Sequence, residues 1–210
     1  MTTSDRTARI REAQTLVIKR MKADPAAARS TIVTTGRIDE GLTCHVEQGR
    51  FTAVADLGRG MGGDAEGPSP GFYGRAAIVG CVGMGVKMLA AREGLVFDSM
   101  TITVETDFDD AALFGLGNSS AAPLVTRIEI EITSDADPAQ VSDCVGRALE
   151  MDPWFLALRD AQLVQPRTTL RRTSPQDIGD LGTGAKSDAD RTAPAMAGTD
   201  ARQRDSAEHG

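Results

Sequence analysis

Between positions 5 and 22 apolar residues recur at helical spacing, Ile10, Ala13, Val17 and Met21, behind the capping residues Ser4 and Asp5 and ahead of the stop Asp24-Pro25. The spacing predicts an amphipathic helix over 5–22. Three short runs bounded by glycine follow, at 31–35, 42–47 and 51–56; in the second, Leu42, Cys44 and Val46 alternate with Thr43, His45 and Glu47. Period-two alternation predicts strands, and Gly41 and Gly49 predict the turns that fold them into an antiparallel meander.

After a Gly- and Pro-rich lead-in at 59–70, Ser69-Pro70 offers an N-cap and a first-turn proline, and Gly94 a C-terminal stop. A long helix is expected from about 70 to 93. Between Arg75 and Lys87 it is apolar on nearly all sides, and it contains Gly74, Gly80, Gly83 and Gly85. A helix of that kind is expected to be surrounded by protein. Its glycines each cost about 1 kcal/mol relative to Ala, which makes sense where another backbone approaches closely.

Beyond the helix, Met100, Ile102 and Val104 alternate with Thr101, Thr103 and Glu105, and Ile128, Ile130 and Ile132 with Arg127, Glu129 and Glu131. These predict a long antiparallel pair. Asp137-Pro138 opens a helix to about 150, and Asp152-Pro153 another to about 163. The predicted order, α-βββ-α-ββ-αα, lacks regular βα alternation and points to the α+β class.

Composition divides the chain further. From Pro166 onward there is no aromatic residue, and acidic and basic residues balance, so 166–210 is expected to be a disordered tail. The expected organisation is an N-terminal helix and lead-in at 1–30, a folded domain at 31–165, and the tail. The net charge of −7 and the lack of a dense basic block argue against nucleic acid as a partner. The opening residues do not read as a signal peptide, and the uncharged stretch 76–86 falls short of the roughly 20 residues of a membrane span. A cytoplasmic protein with no membrane partner is expected. Cys44, Cys81 and Cys144 lie far apart, and His45 and His209 do not complete a ligand set. Neither a metal nor another cofactor is called for.

The run from Gly62-Gly63-Asp64 to Gly67-Pro68-Ser69-Pro70, then Ala76 to Gly80-Cys81 and Ala90-Ala91-Arg92-Glu93-Gly94-Leu95, resembles the central helix region of the OsmC/Ohr family. The strand-strand-helix-helix order from Met100 to Leu163 fits that family's second half. The resemblance implies an OsmC-like fold, with antiparallel sheets around a long central helix, in an intertwined homodimer with sites at the subunit interface. In active members it implies a thiol peroxidase that reduces organic hydroperoxides.

Cys81 matches the family's peroxidatic cysteine, whose thiolate attacks a peroxide oxygen and becomes a sulfenic acid. Two other family positions differ. The glutamate after the helix-opening proline corresponds to Gly71, and the second, resolving cysteine to Asp152. The chain is therefore an atypical member, and an external thiol reductant is expected in place of an internal one. The family's thiolate-stabilising arginine comes from the N-terminal meander, where Arg37 and Arg50 are both candidates.

Each of these residues also has a plainer reading. Free cysteine is among the most buried residue types and acts as a small hydrophobe. Asp152 before proline is an ordinary N-cap. Glu66 reads as a solvated loop carboxylate, with a place at the pocket mouth as the alternative. Met84 and Met88 share a helix face with Cys81 and line either a core or a pocket for an apolar molecule. Arg75 lies well off that face. Two functions remain in view: a single-cysteine thiol peroxidase acting through Cys81, and a non-catalytic OsmC-like dimer that binds a small apolar ligand at the subunit interface.

Overall fold

The structure is a computed structural model that describes residues 3–171. The chain separates into two units, Met1–Leu163 and Val164–Gly210. In the second unit the described residues, up to Arg171, form no helix or strand, and the tail expectation otherwise lies outside the described residues.

The first unit begins with α1 (Thr3–Ala23), followed by β1 (Thr35–Ile38), β2 (Cys44–Gln48) and β3 (Phe51–Ala55), joined in that order as an antiparallel sheet. Gly41 and Gly49 occupy the left-handed region, φ 73° and 58°, as the turns require. The first strand differs from expectation. The β-branched run at 31–33 is unpaired, with Ile32 73% and Val33 70% exposed, and β1 starts only at Thr35, opposite Glu47. The reason is register: Thr34 comes opposite Gln48, the last residue of β2, and its hydroxyl donates to that side chain over 2.7 Å, while 31–33 run past this end, where the chain turns at Gly49, and meet no strand.

The central helix α2 (Pro70–Glu93) has the expected caps. The Ser69 hydroxyl accepts from the Phe72 amide, and Gly94 closes the other end at φ 83°. The Arg11 guanidinium of α1 donates to the Ala91 carbonyl over 2.8 Å, placing positive charge at the negative end of α2. Docking turns α1 away from its predicted face. Thr7, Ile10, Gln14 and Ile18 are its most covered positions, while Val17 and Met21 are exposed.

β4 (Ser99–Asp107) and β5 (Val125–Thr133) pair antiparallel, Ile102 opposite Ile130, with the short α3 (Asp110–Leu113) in their connection. Then come α4 (Pro138–Leu149) and α5 (Pro153–Arg159), the last ending four residues earlier than expected. One face of α2, carrying Ile78, Val82, Val86, Leu89 and Ala90, forms the core with Phe97, Cys144 and Ala148. The inward isoleucines of β4 and β5 pack against it. Cys144 is thus a core residue.

The described chain covers α2 only in part. The helix is not enclosed by its own chain, since Phe72 and Met84 on its other side are 51% and 64% exposed. Among the described residues no other backbone approaches its glycines. A Cβ on Gly83 would meet the Ile102 side chain at 3.4 Å, one on Gly85 the Asp152 carboxylate at 3.3 Å, and one on Gly74 nothing within 4 Å. By length and composition α2 could cross a membrane, but its core face is already filled by protein.

Candidate functional site

The loop ahead of α2 is built on Asp56, whose side chain is buried. Its carboxylate accepts from the amides of Leu57, Asp64 and Glu66 and from the Thr43 hydroxyl. The Glu66 amide, with the other donors, holds this carboxyl below the usual range despite its burial. Two of the loop's glycines are steric necessities. A Cβ on Gly63 would lie 2.1 Å from the Leu57 carbonyl oxygen, and one on Gly67 2.3 Å from that of Val54. The Tyr73 hydroxyl donates to the Val54 carbonyl over 2.8 Å, which ties the start of α2 to β3.

Counted at 100° per residue, Cys81 stands at the border between the buried side of α2 and the exposed side carrying Met84 and Met88. It is half-buried and free. The element that meets it is the start of α5. Asp152, 3% exposed, caps that helix, one carboxylate oxygen accepting from the amides of Trp154 and Phe155 at 3.1 and 2.8 Å. The plain reading of Asp152 as an N-cap is therefore correct, and it is incomplete, because the side chain also acts on Cys81.

Burial pushes the Cys81 thiol up. The Asp152 side chain raises it further by accepting its hydrogen bond and by its negative charge, and the Trp154 amide pulls it partly back. The thiol is thereby held in its neutral form. The sequence reading put Asp152 at the second-cysteine position, and the fold brings that position to Cys81; what it missed was that the carboxylate would act on the thiol.

The other candidates lie elsewhere in the chain. Arg37 pairs with Asp39 at 2.5 Å, both well exposed. Arg50 lies over the Phe51 ring, 5.0 Å from its centroid. Neither is among the groups that shift Cys81. The Glu66 side chain is exposed, and only its amide is engaged, with Asp56. The sulfur of Met88 accepts from Gln14 over 3.2 Å, and Met84 faces outward. Gly71 is filled from its own helix, because a Cβ there would meet Arg75 Nη1 at 3.4 Å.

Two cavities flank this region. One, of about 350 Å³, is lined by Ile78, Phe108, Trp154 and Leu158, with Arg75 and Thr106 among its walls. The other, of about 480 Å³ and almost wholly apolar, lies on the face of the three-stranded sheet, between Ile38, Cys44, Val46 and Tyr73. Among the described residues no group of three His, Cys, Asp or Glu side chains is placed to hold a metal ion.

Comparison with known proteins gives one consistent result. Residues 62–164 match the family model described as OsmC-like protein. An OsmC-like protein from Mycoplasma pneumoniae superposes with a TM-score of 0.53 at 11% identity, over 62% of this chain and 88% of that one. An organic hydroperoxide resistance protein OsmC from Legionella pneumophila is similar at a TM-score of 0.45 and 16% identity, over 62% of this chain and 90% of that one. No curated protein sequence matches the chain. Residues 62–164, from the glycine loop through α5, form an OsmC-like domain.

Proposed function

We propose that the protein works as a cytoplasmic homodimer in which Cys81 is the reacting sulfur of a single-cysteine hydroperoxide reductase. The observation that carries this reading is a free, half-buried thiol on α2 set against the buried Asp152 side chain at the start of α5. In the proposed step the sulfur attacks the distal peroxide oxygen. An S–O bond forms, the O–O bond breaks, and the thiol proton passes by way of Asp152 to the departing alkoxide, leaving a sulfenic acid and an alcohol. Two equivalents of an external thiol then return the sulfenic acid to the thiol, through a mixed disulfide and with release of water. With Asp152 at the family's second-cysteine position and Cys144 in the core, no internal cysteine takes that role.

Asp152 also slows the reaction, because it disfavours the thiolate. A guanidinium must offset it, and the proposal takes that group from a second copy across a subunit boundary, with Arg37 or Arg50 as the source. The uncovered apolar face of the β1–β3 sheet and the exposed side of α2 are the surfaces such a dimer would join. The test is turnover of cumene hydroperoxide with a dithiol reductant, expected to disappear in Cys81→Ser. A wild-type protein without turnover, whose Cys81 alkylates no faster than a free peptide cysteine, would overturn it.

The raised thiol favours a second reading, a non-catalytic dimer that binds a small apolar ligand beside Cys81. It expects ligand-dependent thermal stabilisation together with absent turnover.

A further inference from the structure

The cavity lined by Ile78, Phe108, Trp154 and Leu158 contains a charge that neither reading uses. Arg75 reaches it from α2, and its guanidinium makes one polar contact, Nη1 donating to the Thr106 hydroxyl over 3.3 Å. Among the described residues no carboxylate pairs with it. The acids nearest in sequence to its partner strand and to the cavity walls are already engaged. Asp107 forms a bidentate pair with Arg127, at 2.7 and 2.8 Å. Asp109 caps α3, and Asp152 caps α5.

Around this guanidinium the walls are hydrocarbon and aromatic, and Phe108, Trp154 and Leu158 are about half exposed. A volume of about 350 Å³ lies at the small end of ligand pockets, which run from about 300 to 1,000 Å³. A half-buried guanidinium with five donors, one of them engaged by a neutral hydroxyl, calls for a planar anion. The apolar rim calls for a hydrocarbon or aromatic body. We propose that this cavity binds an apolar monocarboxylate, its carboxylate on Arg75 and Thr106 and its body between Phe108, Trp154 and Leu158.

This site goes beyond the peroxidase reading and can fail separately from it, since cumene hydroperoxide carries no carboxylate and its turnover does not need Arg75. Trp154 is the only tryptophan of the chain, so its fluorescence reports on the cavity directly. Titration of the full-length protein with octanoate is expected to give a saturable change in Trp154 emission, and octanamide to bind at least about tenfold more weakly. Arg75→Gln is expected to weaken octanoate by a similar factor and leave octanamide unchanged; Arg75→Lys is expected to recover part of the loss. Equal affinity for octanoate and octanamide would overturn the proposal, as would full octanoate affinity in Arg75→Gln or no saturable change at all. The comparison of the two ligands on the wild-type protein decides the matter even if the variant fails to fold.

Discussion

Asp152 does two things with one carboxylate, and substitutions can separate them. As a cap it accepts from the Trp154 and Phe155 amides. As a charge it raises the Cys81 thiol. Asn caps about as well as Asp, whereas Ala loses about 1 kcal/mol. Asp152→Asn is therefore expected to keep nearly wild-type stability and to move the pH midpoint of Cys81 alkylation downward. Asp152→Ala is expected to lower the midpoint as well, and to cost that increment in denaturant unfolding. The sign for stability follows from linkage. Folding raises this thiol, so its contribution is fully present below the unfolded value of about 8.5. It is lost as pH rises through the folded value, and wild-type melting temperature should fall more steeply there than that of Asp152→Asn. An unchanged midpoint in both variants would remove Asp152 from the chemistry of Cys81.

The loop before α2 shows how an element is positioned by backbone sterics. Gly63 presents its Cα to the Leu57 carbonyl oxygen of the same loop and Gly67 to that of Val54 in β3, with no room for a methyl group at either. Ala at either position is expected to destabilise by about 1–3 kcal/mol, since the obstacle is backbone and cannot step aside. Gly60 is in the same loop, but a Cβ there meets nothing within 4 Å, and Gly60→Ala should stay within about 0.5 kcal/mol of wild type. Chemical denaturation of the three variants checks this, and equal losses would show that the glycines matter only for chain entropy. The composition of this loop was legible in the sequence as a helix lead-in. Which glycines are indispensable was not, because that depends on how the loop folds back on Leu57 and packs against Val54 of β3.

For the whole molecule, the decisive feature is what the described chain leaves uncovered. Phe51, Phe72 and Met84 stand more than half exposed, Ile38 likewise, and a hydrocarbon-lined hollow opens on the β1–β3 sheet. So much apolar surface marks an interaction site. The proposed homodimer predicts a mass near twice 22.1 kDa in sedimentation equilibrium. Val46→Asp, which sets a charge in the middle of that face, should shift the protein toward monomer and lower peroxide turnover with it. A wild-type monomer at micromolar concentration would show that the surface has another use.

Much of the architecture was determined by the sequence alone, because its causes are local. Ser69-Pro70 and Gly94 set both ends of α2, alternation set β4 and β5, and Asp-Pro pairs opened α4 and α5, each through backbone groups only a few residues away. The resemblance around Gly80-Cys81 identified the family for the same reason, as a contiguous stretch. Only the tertiary structure decided that 31–33 finds no partner strand, that α1 docks through Thr7, Ile10, Gln14 and Ile18, and that Cys81 meets a carboxylate while Arg75, among the described residues, pairs with none over an apolar hollow. Those outcomes depend on which distant side chains share a small volume and on the electrostatic balance among them, and neither quantity is encoded in the spacing of residues along the chain.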